Sequence, residues 1–139
     1  MKKRLLIICG IFIALTLSAC ANGPIKLDPK YVFPDLEQVS SVSGFSVSGW
    51  ESVDSRSLII HTGPSQSYLL ILATRLNDLN FSEDISLTST GSRIEARFDC
   101  VRLADTSCAG STSAFIDVIY KLQGRDSISR VKKQIRGSD

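Results

Sequence analysis

Four cysteines and one histidine are the side chains of this 139-residue chain best suited to covalent, redox or metal chemistry. A thiolate is a nucleophile and a soft metal ligand, and imidazole serves as a base or a metal ligand. Cys9 lies within an apolar run, where a thiol usually acts as a small apolar residue. The side chains that need an explanation are therefore Cys20, His61, Cys100 and Cys108.

The first nineteen residues have the pattern of an export signal. Three basic residues at positions 2–4 precede an uncharged run from Leu5 to Ala19, and small residues lead to Cys20. A membrane-spanning helix needs about 20 apolar residues, and this run is shorter. A plain secretory signal is the other alternative, but it would not require a cysteine at the exit. We therefore predict that residues 1–19 are a signal peptide.

The stretch Leu17-Ser18-Ala19-Cys20 resembles the lipobox of bacterial lipoproteins. The resemblance implies cleavage before Cys20, a diacylglyceryl thioether on its sulfur and a fatty acid such as palmitate on the new amino terminus. Ala21, rather than aspartate, follows the cysteine. By likeness to the enterobacterial sorting pattern, Ala21 implies an outer-membrane location facing the periplasm.

Processing would leave 120 residues, which suits one domain with a modest core. The formal net charge of +2 would become −1, because three basic residues leave with the signal. The pI of about 8.4 therefore describes the precursor, and we expect no nucleic-acid partner. A structural zinc site needs four nitrogen or sulfur ligands. Beyond Cys20 only Cys100, Cys108 and His61 remain, so we expect no metal and no cofactor.

The segment after Cys20 has the composition of a tether. Three of the four prolines fall between Ala21 and Pro34. Proline fixes φ and removes a backbone donor, so this stretch should be extended and unpaired. Fully stretched, its fourteen residues would reach about 45–50 Å. We assign residues 20–38 to the lipidated cysteine and its tether.

Residues 39–123 have the pattern of an antiparallel β domain. Two apolar runs flank Gly63-Pro64, which predicts a hairpin. The second run, Tyr68 to Leu72, is apolar at consecutive positions and should be covered on both faces. Residues 93–100 alternate most regularly, with Ile94, Phe98 and Cys100 predicted inward. We predict a mainly β fold of five or six strands, as a small antiparallel barrel or a curved sheet.

The tail, residues 124–139, changes to a helical period. Ile128, Val131 and Ile135 form one apolar stripe, Asp126 or Ser127 can cap its start, and Gly137 can end it. This pattern predicts a short amphipathic C-terminal helix. The stripe should dock on the β domain with its basic residues solvated. Alternatively, those residues contact an anionic membrane surface: Arg130, Lys132, Lys133 and Arg136.

Weak motifs spread over residues 50–122 together resemble an uncharacterised family of small proteobacterial lipoproteins, the domain-of-unknown-function family six-four-nine-one. The family has no established activity, so the resemblance implies none. Members often carry a cysteine near the position of Leu76, apparently paired with the later one, and this chain has none there. Cys100 can replace it as the partner of Cys108, or Cys108 is free. The motifs are Trp50-x-x-Val53-Asp54, Leu58-Ile59-Ile60, Tyr68-Leu69-Leu70, Leu79-Asn80-Phe81, Ile85-x-Leu87-Thr88-Ser89, Phe98-Asp99-x-Val101, Cys108 and Ile116-x-x-Ile119-Tyr120-x-Leu122.

Catalytic signals are weak. His61 at a strand end has Glu51 or Asp54 as cross-hairpin partners, but a histidine facing water explains the position as well. No Gly-x-Ser-x-Gly elbow is present. Trp50 is better suited to the core than to a ligand platform. We therefore expect no enzyme, but an envelope lipoprotein that binds or scaffolds another envelope component, or alternatively a periplasmic inhibitor of an envelope-directed hydrolase.

Overall fold

The computed structural model describes residues 26–44, 46–104 and 107–137. The predicted signal, Cys20 and residues 21–25 lie outside this part of the chain. The described residues form nine strands, two short 3-10 helices and one α-helix, which confirms the predicted mainly β fold with a C-terminal helix. In chain order they are η1 (Pro29–Tyr31), β1 (Gln38–Val39), β2 (Ser41–Ser43), β3 (Gly49–Asp54), β4 (Ser57–His61), β5 (Gln66–Leu72), η2 (Asn77–Phe81), β6 (Ser86–Leu87), β7 (Arg93–Glu95), β8 (Cys100–Arg102), β9 (Ser113–Gln123) and α1 (Gly124–Arg136).

The main sheet is antiparallel and curls into a half-barrel with strand order β3-β4-β5-β9-β8-β6. β9 is its longest strand, pairing with β5 on one side and with β1 and β8 on the other. The predicted hairpin is confirmed, because β4 and β5 pair with Ile60 opposite Tyr68 around the Gly63-Pro64 turn. β2 and β7 form a separate two-stranded ribbon.

Two hydrophobic clusters cover the two faces of the sheet, as the consecutive apolar run of β5 predicted. Side chains alternate across a strand, so Leu70 and Leu72 join one cluster with Leu79 of η2. Leu69 and Ile71 join the other, and α1 covers that cluster. Trp50 is half-buried against the first cluster, the core position favoured from the sequence.

The prediction that the proline-rich segment is extended and unpaired is wrong for its described part. Tyr31 and Phe33 are each only 2% exposed and belong to the cluster beneath α1. The Phe33 ring packs edge-on against Tyr120 with a centroid separation of 5.5 Å. Pro29 opens η1, where its fixed φ is tolerated. Burial of these two aromatic rings stabilises the docked segment by about 1.5–3 kcal/mol each. This gain outweighs the preference of the prolines for an extended, unpaired chain.

The prediction of one regular strand over residues 93–100 is also wrong. β7 ends at Glu95, and Arg97 adopts a φ of 69°. The chain therefore turns, which leaves Phe98 77% exposed and buries Asp99 to 5%. The cause is the Asp99 carboxylate, which accepts hydrogen bonds from the Glu95 N–H and the Thr88 hydroxyl, both at 2.8 Å. The bond from the Glu95 N–H to the Asp99 carboxylate closes the turn.

Helix α1 docks through its predicted stripe, since Val131 and Ile135 are fully buried. The predicted capping by Asp126 or Ser127 is wrong, because the helix begins at Gly124 and the Ser127 hydroxyl donates back to main-chain carbonyls. The predicted end is confirmed, because the Gly137 N–H donates to the Lys133 carbonyl. Within the described residues, no helix has the length and apolarity needed to cross a membrane.

Candidate functional site

His61 lies in a polar cluster between the sheet and α1. Its Nδ1 is 2.8 Å from the Ser67 hydroxyl on the adjacent strand β5, and its Nε2 is 3.7 Å from Glu51 Oε1 on β3. Glu51, not Asp54, is thus the acid that the hairpin places beside His61. The Lys132 ammonium of α1 binds the other Glu51 oxygen. The cluster therefore ties three strands to the helix.

The cluster contains serine, histidine and glutamate, but it lacks the features of a nucleophilic site. Ser67 is 7% exposed within the sheet, opposite Leu122, so a substrate carbonyl has little access to its oxygen. The adjoining cleft of about 410 Å³ is lined mainly by the turn at Gly63-Pro64 and the start of α1. His61 itself is about one-third exposed. The arrangement cross-links the helix to the sheet through side-chain hydrogen bonds.

Asp54 fixes the amino-terminal segment to the sheet. Its Oδ2 accepts from the Tyr31 hydroxyl at 2.6 Å and lies 3.3 Å from the Lys30 ammonium. Its Oδ1 accepts from the Ser57 hydroxyl at 2.6 Å and from the Arg56 N–H at 2.9 Å. Of the two acids considered as partners of His61, Asp54 lies instead in this separate network.

The titration of both partners reflects this contact. Burial raises the pKa of Tyr31 to about 12, and the neighbouring Asp54 carboxylate adds to the shift. Burial alone would raise the pKa of Asp54, but hydrogen bonds from Ser57, Tyr31 and the Arg56 N–H outweigh it and lower that pKa. The Tyr31–Asp54 hydrogen bond is thus stable when Asp54 is ionised and Tyr31 is neutral.

Of the two alternatives left open for Cys108, the pairing with Cys100 is confirmed. The two residues form a disulfide with a Cα–Cα distance of 5.9 Å. Cys100 opens β8 and is fully buried, so the bond fixes the following loop to the sheet. The alternative of a free Cys108 is thereby ruled out.

The turn around Phe98 is a surface feature that sequence reasoning missed. The main-chain N–H of Arg97 donates to the Ile116 carbonyl, and the main-chain N–H of Ile116 donates to the Asp99 carbonyl. Strand β9 therefore holds the turn on both sides of Phe98. The Arg97 side chain is 76% exposed and lies 3.8 Å from Asp117. No glycine in the sequence marked this turn, so the alternation alone favoured a strand.

Three of the four basic side chains singled out in the tail have partners within the protein. Lys132 binds Glu51, Arg130 lies 2.5 Å from Asp35, and the Arg136 guanidinium donates to the Ser52 and Val53 carbonyls. The prediction that the basic side chains of the tail are solvated is therefore wrong for these three residues. The fourth, Lys133, is exposed in the last turn of α1.

Within residues 26–44, 46–104 and 107–137, no three histidine, cysteine, aspartate or glutamate side chains come together as a metal site would require. The cluster around His61 contains one carboxylate, one imidazole and one hydroxyl. The Lys132 ammonium binds one of the two oxygens of that carboxylate, Glu51.

Comparison with known proteins places the chain in a family. Residues 1–138 match the model of a family of unknown function, DUF6491. The match covers nearly the whole chain, so the protein belongs to this family. No curated protein and no solved structure matches the chain. The predicted membership of this family is thus confirmed, and the family has no known function.

Proposed function

We propose that this protein is a lipid-anchored component of the bacterial envelope that binds another envelope protein and catalyses no reaction. Cys20 would carry the diacylglyceryl group and an acylated amino terminus. The proposed location is the outer membrane, facing the periplasm, on the basis of Ala21 after the lipidated cysteine. The observation that carries the binding role is the outward-facing Phe98.

Phe98 is one of two highly exposed phenylalanines, at 77% against 85% for Phe81 at the end of η2, and it lies on a turn that the sheet holds in place. Aromatic residues, including phenylalanine, are enriched in protein interfaces, and a side chain held in place loses little conformational entropy on binding. Beside the turn, a groove of about 590 Å³ runs past Val39, Ser40, Arg97 and Asp117. Phe98 also lies two residues before Cys100, whose register partner Phe115 is 43% exposed. Exposed aromatic surface next to a polar groove supports recognition of a protein.

The alternative function is inhibition of an envelope-directed hydrolase. An inhibitor presents a rigid protruding segment to a cleft, and the Phe98 turn also has that character. The identity of the bound protein separates the two proposals. Capture of a hydrolase at Phe98, with loss of that hydrolase's activity, would favour inhibition over scaffolding.

Site-specific photocrosslinking in intact cells tests the binding role. A benzophenone amino acid replaces Phe98 in one variant and Ser65, an exposed residue of the β4–β5 turn, in a control variant. We expect a discrete adduct from position 98 and none from position 65. Equal adducts from both positions, or none from position 98, would rule out this turn as the binding surface.

Labelling with radioactive palmitate tests the anchor separately. Cys20→Ser should abolish the label and leave the precursor uncleaved, whereas Cys9→Ser should preserve both labelling and cleavage. A labelled Cys20→Ser protein would show that the lipid is attached elsewhere.

A further inference from the structure

Helix α1 concentrates the positive charge of the chain. It contains five basic residues and one acidic residue, a balance of +4, whereas the rest of the chain beyond residue 19 has eight basic and thirteen acidic residues, a balance of −5. Such a separation of charge orients a protein in an external field. The outer side of α1 is exposed at four of the basic residues, with Asp126 as the single acid among them: Arg125, Arg130, Lys133 and Arg136.

The acidic residues of η2 and the segment after it lie across the sheet from α1. Asp78, Glu83 and Asp84 are all exposed. Leu79 of η2 packs in the cluster on the face opposite α1, while Val131 of α1 packs in the other cluster. The side of the sheet covered by α1, called the basic side, carries this cationic helix, two of whose basic residues pair with Asp35 and Glu51. The side that carries η2 and its acidic residues is called the acidic side.

The amino-terminal segment approaches the domain from the basic side. Tyr31 and Phe33 pack in the same cluster as α1, and the Gln134 amide of α1 donates to the Lys30 and Val32 carbonyls at 3.2 Å. Leu27 packs against this cluster as well. The chain that leads back to Cys20 thus leaves the domain beside the helix.

The link from this segment to Cys20 is short. Only residues 21–26 separate Cys20 from Leu27, and six residues span at most about 20–25 Å even when fully extended. The sequence alone had allowed a tether of twice that length. A domain held this close to a bilayer lies within a few Debye lengths of its surface charge, since one such length is about 8 Å at physiological ionic strength.

From these observations we infer that the outer side of α1 faces the anionic membrane surface to which Cys20 is anchored. This inference rests on the proposed lipidation of Cys20. The lipid supplies the anchor, and the helix supplies the orientation. Arg125, Lys133 and the partly paired Arg130 and Arg136 lie toward the headgroups, whereas Lys132 stays with Glu51. The acidic side, with η2, then faces away from the membrane.

The test uses full-length protein made in bacteria, isolated as the processed lipidated form and reconstituted into vesicles of two parts phosphatidylcholine to one part phosphatidylglycerol. A fluorophore is placed on Ser129→Cys, on the outer side of α1, or on Asn80→Cys, in η2. Both positions are exposed and uncharged. Energy transfer to acceptors on the lipid headgroups should be greater from position 129 than from position 80.

Removal of charge should weaken this orientation. The double variant Arg125→Gln with Lys133→Gln should reduce the preference for the helix-down orientation by up to roughly thirtyfold, at about 1 kcal/mol per basic residue. The matched control, Arg75→Gln with Arg93→Gln, removes the same charge outside α1 from two exposed positions. It should leave the preference unchanged.

The outcomes separate this inference from the proposed function. Protein that fails to float with the vesicles and has an unmodified Cys20 would refute the lipid anchor. Protein that floats normally but transfers energy equally from both positions would refute the orientation alone. A preference for position 129 that requires added envelope proteins would replace the lipid surface with an acidic protein partner.

Discussion

Tyr31→Phe is the most informative single substitution, because it removes only the hydroxyl that joins the amino-terminal segment to Asp54. The lost bond is a 2.6 Å hydrogen bond to an ionised carboxylate, and hydrogen bonds to charged groups contribute about 1.5–3 kcal/mol. Asp54 keeps its bonds from Ser57 and the Arg56 N–H, so we expect a loss near the lower limit. For a domain of this size that corresponds to a fall in Tm of roughly 5–10 °C.

Equilibrium unfolding in urea measures the loss, and limited trypsin digestion shows where it acts. Undocking of the segment should speed cleavage after Lys30, which the Asp54 contact holds at the surface of the sheet. Tyr68→Phe is the matched control, since Tyr68 is half-buried on the other face and the described residues give its hydroxyl no hydrogen bond. A loss below about 0.5 kcal/mol, the range of ordinary surface changes, would refute the role of the hydroxyl.

The same contact predicts a pH dependence with two limits. The lowered pKa of Asp54 stabilises the fold above its ordinary value of 3.8, and this contribution is lost as pH falls through the lowered pKa. The raised pKa of Tyr31 stabilises the fold below pH 10, and this contribution is lost as pH rises from 10 to about 12. Tyr31→Phe should therefore flatten the alkaline limb of the unfolding profile; an unchanged limb would assign it to other groups.

Three further perturbations test the helix docking, the disulfide and the Phe98 turn. Ile135→Ala should destabilise the domain by about 2–4 kcal/mol, because the Ile135 side chain is fully buried between α1 and the sheet. The control Ser129→Ala, on the exposed side of α1, should change stability little, and equal Tm values for the two variants would contradict helix docking. Reduction of the Cys100–Cys108 disulfide, or Cys100→Ser with Cys108→Ser, should cost about 2.5 kcal/mol in the chain-entropy model, and an unchanged urea midpoint would argue against the bond. Asp99→Ala should lower the free energy of unfolding by about 2–3 kcal/mol, since it leaves the Glu95 N–H and the Thr88 hydroxyl without their acceptor. Amide exchange at Glu95 should accelerate, and unaltered exchange would contradict the assigned acceptor.

Periodicity predicted the parts of the fold in which side-chain burial alone decides the structure. The β4–β5 hairpin follows from two apolar runs around Gly63-Pro64, and the consecutive apolar residues of β5 correctly indicated two covered faces. The apolar stripe of α1 was predicted correctly for the same reason, because Val131 and Ile135 are fully buried in one apolar cluster.

Periodicity failed where one polar side chain overrides the pattern. The chain turns at Arg97 although residues 93–100 alternate regularly, because the Asp99 carboxylate accepts from the Glu95 N–H four residues earlier and from the Thr88 hydroxyl. Apolar periodicity does not register such an acceptor. The tether prediction failed similarly. Proline content indicated an extended chain, but the alternating Tyr31 and Phe33 pack in the apolar cluster that α1 covers, a tertiary contact that local composition does not indicate.

The candidate sites also divide into those that local sequence indicates and those that depend on tertiary contacts. Cys20 is defined by local sequence, and the Cys100–Cys108 pair was open from sequence because proximity depends on the β8 loop. Glu51 was one of two acids considered for His61. The contributions of Ser67 and Lys132 could not be predicted, since they require the register of β4 with β5 and the angle at which α1 crosses the sheet.

The mass of the amino-terminal peptide tests the central claim most directly. Trypsin should cleave after Lys26, an exposed residue, and release the peptide Cys20–Lys26 from protein isolated with the envelope. The proposed function predicts that this peptide begins at Cys20 and carries a diacylglyceryl group on sulfur and a fatty acyl group on nitrogen. A peptide with a free Cys20 thiol, or one that still includes the apolar run before it, would contradict the lipid anchor and with it the orientation inferred for α1.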